Sequence, residues 1–126
     1  MIKQINVGVI GTGWCGGIRA EACNSNPLVD KLYIAETNEI RLNELRDKLK
    51  LEEATNDWKQ LIINPEIDTI IISATPEDTH YPMALEALKS GKNVFLEKPI
   101  ATTMNEAEEL IAVSIKNNVK FTIGYS

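Results

Sequence analysis

Ile5-Asn6-Val7-Gly8-Val9-Ile10-Gly11-Thr12-Gly13-Trp14-Cys15-Gly16 is the stretch that decides the fold. Its first half is a short apolar run, the pattern of a strand buried on both faces. Its second half is G-x-G-x-x-G, and the residues after it read as a helix. Glycines at this spacing serve any tight strand-to-helix turn, so the motif alone carries little. Between a strand and a helix it has mechanical meaning. Gly11 permits the turn, Gly13 lets a pyrophosphate approach the backbone, and Gly16 lets helix pack close to strand. The phosphates then meet free N–H groups at the positive end of the helix. Thr12, Trp14 and Cys15 fill the variable positions and complete the candidate phosphate-binding loop. Cys15 has the setting of a redox-sensitive thiol, although loop filler is the plainer reading.

Glu36 tests this reading independently. It ends the next strand, roughly 20 residues past Gly16, where a carboxylate can accept bonds from the adenosine ribose hydroxyls. A negative charge there repels a 2′-phosphate and so favours NAD over NADP. Arg41, a few positions on, complicates that preference, and a solvated acid at a strand end remains the alternative.

Outward from this unit the same alternation continues. Leu32-Tyr33-Ile34-Ala35, Thr69-Ile70-Ile71-Ile72, Val94-Phe95-Leu96 and Lys120-Phe121-Thr122-Ile123 read as strands, with Glu53-Ala54-Thr55 as a brief extra one. Leu42, Leu45 and Leu49 mark one helix, with Asn38 as its N-cap. Trp58, Leu61 and Ile62 mark a short helix that ends before Pro65. Ala84, Ala87 and Leu88 mark another, with Pro82 in its first turn and a stop at Gly91. Thr103-Met104-Asn105-Glu106 is a capping box, and Leu110, Ile111 and Ile115 are expected on one face behind it. The sum, βαβαβαβαβαβ, predicts an α/β fold: a doubly wound, mainly parallel Rossmann sheet with helices on both faces. Residues 1–126 form one dinucleotide-binding domain on this reading.

The 126 residues, 44% hydrophobic and 25% charged, are those of an ordinary globular domain. A net charge of -5 with scattered basic residues argues against nucleic acid. Cys15 and Cys23 lie on one helix, around 12 Å apart along its axis, too far for a disulfide. Unpaired thiols suit a reducing compartment. No metal-ligand spacing appears, so no metal is expected. No signal-like segment and no apolar run of about 18 residues occurs, which leaves cytoplasmic residence as the expectation and no membrane partner.

Two further motifs narrow the class. Ser73 to His80 read S-A-T-P-E-D-T-H after the fourth strand, counting the brief one, and Glu97-Lys98-Pro99 follows the fifth. With G-T-G-W-C-G, Glu36 and A-L-E-A-L-K-S-G-K-N-V, they occur in the order found in the glucose–fructose oxidoreductase / inositol dehydrogenase / rhizopine-catabolism (Gfo/Idh/MocA) family. The chain resembles the N-terminal NAD(P)-binding domain of that family over essentially its whole length. The resemblance implies that Ala74, Thr75 and Pro76 lie along the cofactor and that Glu97, Lys98 and Pro99 line the nicotinamide pocket. It makes Lys98 the catalytic candidate, and gives the tail from Gly124 a place near the same pocket. It also implies a C-terminal domain, absent from these residues, which brings substrate contacts and through which a homo-oligomer would form. Arg19 departs from the pattern, since many members have histidine there.

The chemistry also stands on its own terms. Oxidising a secondary alcohol needs a hydride acceptor and a base within about 3 Å of the hydroxyl. A lysine doing this must titrate well below its free value of about 10.4, through desolvation and a nearby positive ring. A Lys-Pro after a strand is otherwise an ordinary solvated turn. His80 either reaches the cofactor or bonds locally in the first turn of its helix. The function expected is hydride transfer between nicotinamide and a hydroxyl of a sugar, cyclitol or similar small polar substrate. Without a second wall, the chain is expected to bind NAD(H) with little or no turnover. The alternatives are a stand-alone, non-catalytic NAD(H)-binding regulatory module and, more remotely, an S-adenosylmethionine methyltransferase.

Overall fold

The computed structural model describes residues 3–74, 77–98 and 103–124, with the backbone alone for Trp14, Cys15 and Glu77. The chain runs β1 (Ile5–Ile10), α1 (Trp14–Ser25), β2 (Val29–Ala35), α2 (Glu39–Lys48), β3 (Glu53–Thr55) and α3 (Trp58–Ile63). It continues as β4 (Thr69–Ile72), a 3₁₀ turn (Glu77–Thr79), α4 (His80–Lys89), β5 (Asn93–Glu97), α5 (Met104–Lys116) and β6 (Phe121–Gly124). The strands form one sheet in the order β3-β2-β1-β4-β5-β6, and every pairing is parallel. This is the doubly wound α/β arrangement expected from the alternation of elements.

Side chains alternate across the sheet, and the two faces build two cores. On one face, Val7, Val9, Leu32, Ile34 and Ile71 pack under Ala20 of α1 and Leu42 and Leu45 of α2. On the other, Ile10, Tyr33, Ile70, Ile72, Val94 and Leu96 pack under α3, α4 and α5. Right-handed crossovers dictate this split: leftward steps from β1 put α1 and α2 on one face, and rightward steps put the later helices on the other.

Local signals fix the helix ends. Asn38 caps α2, its side chain accepting from the Arg41 N–H at 3.0 Å. Thr103 caps α5 through the Glu106 N–H at 3.2 Å. Gly91 follows α4 at φ 81°, in the left-handed region where a Cβ is costly. One expectation fails. On α5 only Leu110 is fully buried, while Ile111 is 47% and Ile115 74% exposed. The face against the core is Leu110, Val113 and Ser114, since an apolar residue one position on from Leu110 sits about 100° around the helix.

At the amino end of the sheet, Lys92 is buried and spends its ammonium on two carbonyls. Its Nζ donates to Asn64 at 2.8 Å and to Ile67 at 2.9 Å, tying α4–β5 to the end of α3. Burial lowers its pKa, and Asp68 partly opposes that. Replacing Lys92 with Met keeps the stem volume but strips both carbonyls of a donor. We expect Lys92→Met to lower unfolding free energy by about 1–3 kcal/mol in urea titrations. An unchanged midpoint would show that water satisfies both carbonyls.

Candidate functional site

The strand order reverses between β1 and β4, so the chain leaves these neighbours toward opposite faces of the sheet. An open crevice of about 600 Å³ lies at their carboxyl ends. Ligands of doubly wound sheets bind at such a point. Its floor is the loop between β1 and α1.

That loop is built on contacts that exclude side chains. Gly11 sits at φ 83°, and a Cβ there would lie 2.5 Å from the Ala74 Cα and 2.7 Å from its N. A Cβ on Gly16 would overlap the Gly11 carbonyl oxygen. Gly13 differs, having a φ of -63° and nothing within 4 Å of where its Cβ would stand. The space over Gly13 is open to a ligand. Gly13 is also the N-cap of α1, where no side chain caps the helix and no acid lies in the first turn. The N–H end of α1 thus faces the crevice with its partial positive charge uncompensated by side chains.

Thr12 is fully buried and held on all its polar groups. Its N–H and its hydroxyl donate to Glu36 Oε1 at 2.8 and 2.5 Å. Its carbonyl accepts from Arg41 Nε at 2.9 Å. The other carboxylate oxygen of Glu36 accepts from the Asn38 N–H at 2.9 Å. Burial acts to raise the Glu36 pKa, but the bonds from Thr12 and Asn38, with Arg41 nearby, outweigh it and hold the carboxyl below its ordinary value. Glu36 lines the crevice and at the same time organises the loop. The second role depends on residues from other elements, so no local signal marks it.

The remaining candidates divide by position. Ala74 is buried and lines the crevice beside Ser73. The buried Ser73 Oγ finds no hydrogen-bond partner among the described residues. His80 is 2% exposed and its Nε2 lies 2.9 Å from the Ala74 carbonyl oxygen, which favours local bonding behind the wall over direct reach. Glu97 is 6% exposed and accepts from Arg19 Nε at 2.7 Å, while Lys98 after it is exposed. Trp14 and Cys15 open α1 by their backbone. Thr75, Pro76 and Pro99 lie outside the described residues, as do Tyr125 and Ser126 of the tail. The sequence reading missed Trp58, Met83 and Thr79, which form the opposite wall. A crevice-lining tryptophan at the start of α3 gives no signal separable from a core aromatic.

Among the described residues, no cluster of three His, Cys, Asp or Glu is placed to hold a metal, and no helix is long and apolar enough to cross a membrane. An open glycine over an uncapped helix end, an orphaned buried hydroxyl and a carboxylate at the next strand end fit a dinucleotide. They define a nucleotide-binding domain of the Rossmann class.

Comparison with known proteins carries this further. Residues 5–125 match the family model of the Gfo/Idh/MocA oxidoreductases, described as an oxidoreductase family with an NAD-binding Rossmann fold. The chain belongs to that family and is its NAD-binding domain. It is 31% identical to myo-inositol 2-dehydrogenase of Thermotoga maritima over 97% of its own length and 36% of the relative's. It is 33% identical to levoglucosan dehydrogenase of Pseudarthrobacter phenanthrenivorans over 94% of its own length and 32% of the relative's. The crystal structure of scyllo-inositol dehydrogenase from Lactobacillus casei with bound NAD(H) and scyllo-inositol superposes with a TM-score of 0.88 at 27% identity. That match covers 97% of this chain and 36% of the other. The chain thus spans about a third of the length of these relatives.

The Glu36 geometry sets a pH dependence. A carboxyl whose folded pKa lies below its unfolded value adds stability that is complete above the unfolded value. That stability is lost as pH falls through the folded one. Glu36→Gln removes this slope and puts an NH₂ group against at least one of the N–H donors. We expect Glu36→Gln to cost about 1–2 kcal/mol at pH 7 and to flatten the acid limb of a stability–pH curve below about pH 4.5. Parallel acid limbs for the two proteins would mean that solvent screens the carboxylate.

Proposed function

We propose that this chain is the cofactor half of a dehydrogenase that moves hydride between nicotinamide and a hydroxyl of a sugar, cyclitol or similar small polar molecule. The observation that carries it is the contrast among the loop glycines. Close backbone contacts require Gly11 and Gly16, whereas no contact excludes a side chain at Gly13, and its open side faces an uncapped helix end. Pyrophosphate of a dinucleotide has the charge and size to use both. The named activities of the inositol and levoglucosan dehydrogenases point to polyol-like substrates for the whole enzyme.

The residues divide the work. The N–H groups opening α1 hold the pyrophosphate, and Glu36 accepts from the ribose beside it with its remaining lone pairs, which favours NAD over NADP. Ala74, Thr75 and Pro76 flank the cofactor, with His80 bracing Ala74 from behind. Lys98, following Glu97 and preceding Pro99, takes the hydroxyl proton, and the bound nicotinamide supplies the hydride acceptor. The substrate-bearing domain of the family lies outside these residues, so one wall of the crevice is open to water. The chain by itself then binds NAD(H) with little or no turnover.

Fluorescence titration of the chain with NADH and NADPH tests this. Trp14 opens α1 and Trp58 lines the crevice. Saturable quenching is expected with NADH, and about tenfold weaker binding with NADPH, near 1.4 kcal/mol. No binding of either at millimolar concentration would remove the proposal, and tighter NADPH binding would reverse the role given to Glu36. Gly13→Ala should leave thermal unfolding close to wild type yet weaken NADH by about tenfold or more. Equal NADH affinity in that variant would show that the open side of Gly13 is not the phosphate seat. With myo-inositol as probe, the chain should form no more NAD-linked NADH than a blank, and steady formation would contradict the open-wall argument.

A further inference from the structure

Arg19 leaves α1 and crosses the sheet face to the carboxyl end of β5. Its Nε donates to Glu97 Oε1 at 2.7 Å, and its guanidinium carbon lies 4.5 Å from the centre of the Phe95 ring. Glu97 pairs in register with Gly124 of β6. A Cβ on Gly124 would lie 2.6 Å from the Phe95 ring and 3.2 Å from Arg19 Nη2. Arg19, Phe95, Glu97 and Gly124 therefore form one packed unit, with Gly124 leaving the room the ring and guanidinium occupy. The unit ends one residue before Lys98.

The guanidinium is gripped twice, by a carboxylate on its edge and by an aromatic ring on its face. A planar fork held this way has little freedom to turn. Glu97 is a buried carboxylate, which requires a partner. Arg19 is that partner, and it comes from the helix whose first turn faces the crevice. The peptide that leads into Lys98 is thus anchored to α1 as well as to β4 and β6.

We propose that Arg19 is a positioning residue for Lys98. Through Glu97 it fixes the β5 terminus relative to the helix that holds the cofactor phosphates. This rests on Lys98 lying at the nicotinamide end, as set out under the proposed function. On this proposal the bridge couples the two ends through contiguous packed groups, and a measured coupling is what establishes it.

The test is an amide ¹H–¹⁵N titration of the chain with NADH, with Arg19→Ala, Arg19→Lys and the double variant Arg19→Ala/Glu97→Gln. The double variant removes the unpaired buried charge, so that a folded protein is available even if the single one unfolds. In wild type, NADH should shift the amides of both Gly13 and Lys98. In Arg19→Ala the Gly13 shift and the NADH Kd should stay within about threefold, and in both it and the double variant the Lys98 shift should fall to about half or less of the wild-type value. Arg19→Lys should keep most of the Lys98 response. An equal Lys98 response in wild type and the double variant overturns the inference. So does loss of NADH binding in a folded Arg19→Ala variant, which would place Arg19 in the cofactor site itself. A wild-type chain in which Gly13 responds and Lys98 does not overturns it while leaving NAD binding intact. If Gly13 does not respond either, the proposed function falls with it.

Discussion

The approach of α1 to the Gly11 carbonyl, with no side chain between, is the constraint on which the carboxyl edge of this sheet depends. Gly16 makes it possible, because any Cβ there would occupy the place of the Gly11 oxygen. Gly11 in turn must adopt a positive φ while pressed against the Ala74 backbone. These close approaches bring β1, α1 and β4 together at the switch point. Once they are met, the N–H end of the helix is aimed at the crevice without any capping side chain to occupy it. The geometry of the binding end follows from backbone packing before any polar contact is considered.

Charge then refines what packing has placed. Thr12 has its N–H, hydroxyl and carbonyl all engaged, by an acid from the end of β2 and an arginine from α2. Opposite charges on either side of one residue hold the loop without filling the space above Gly13. On α1, Arg19 does comparable work on β5. In both places a buried or half-buried carboxylate is matched by donors from a distant element, which satisfies it and ties the elements together.

The fold is legible because every strand but β3 is a largely apolar run bounded by turn residues, and because Asn38, Thr103 and Gly91 stand where helices begin or end. The one misplaced face, Ile111 and Ile115, lies on α5, where adjacent apolar residues leave the buried stripe ambiguous by one position. The site was legible where backbone geometry demands a residue type, as at Gly11 and Gly16. It was less so where a role arises only in three dimensions. The strand-end position of Glu36 points to a ribose, whereas two of its three internal donors, the N–H and hydroxyl of Thr12, reach it across a tertiary contact. Trp58 and Met83 reach the crevice from α3 and α4 and look like any core side chain in one dimension. Arg19 stood out only as a departure from a pattern, and its partner is 78 positions away.

The ammonium of Lys92, clasped by two carbonyls, lies at the opposite end of the sheet from the crevice. The amino end of the strands therefore carries a tie remote from the crevice, whereas at the carboxyl end the Thr12–Glu36 bonds serve the loop and border the crevice together. Substitutions around Asn64, Ile67 and Asp68 that change heat tolerance should leave ligand affinity as it was, since these residues do not line the crevice. Selections for altered ligand choice would instead populate the carboxyl pole. The two kinds of variant should combine freely in one molecule, because the length of the sheet stands between them.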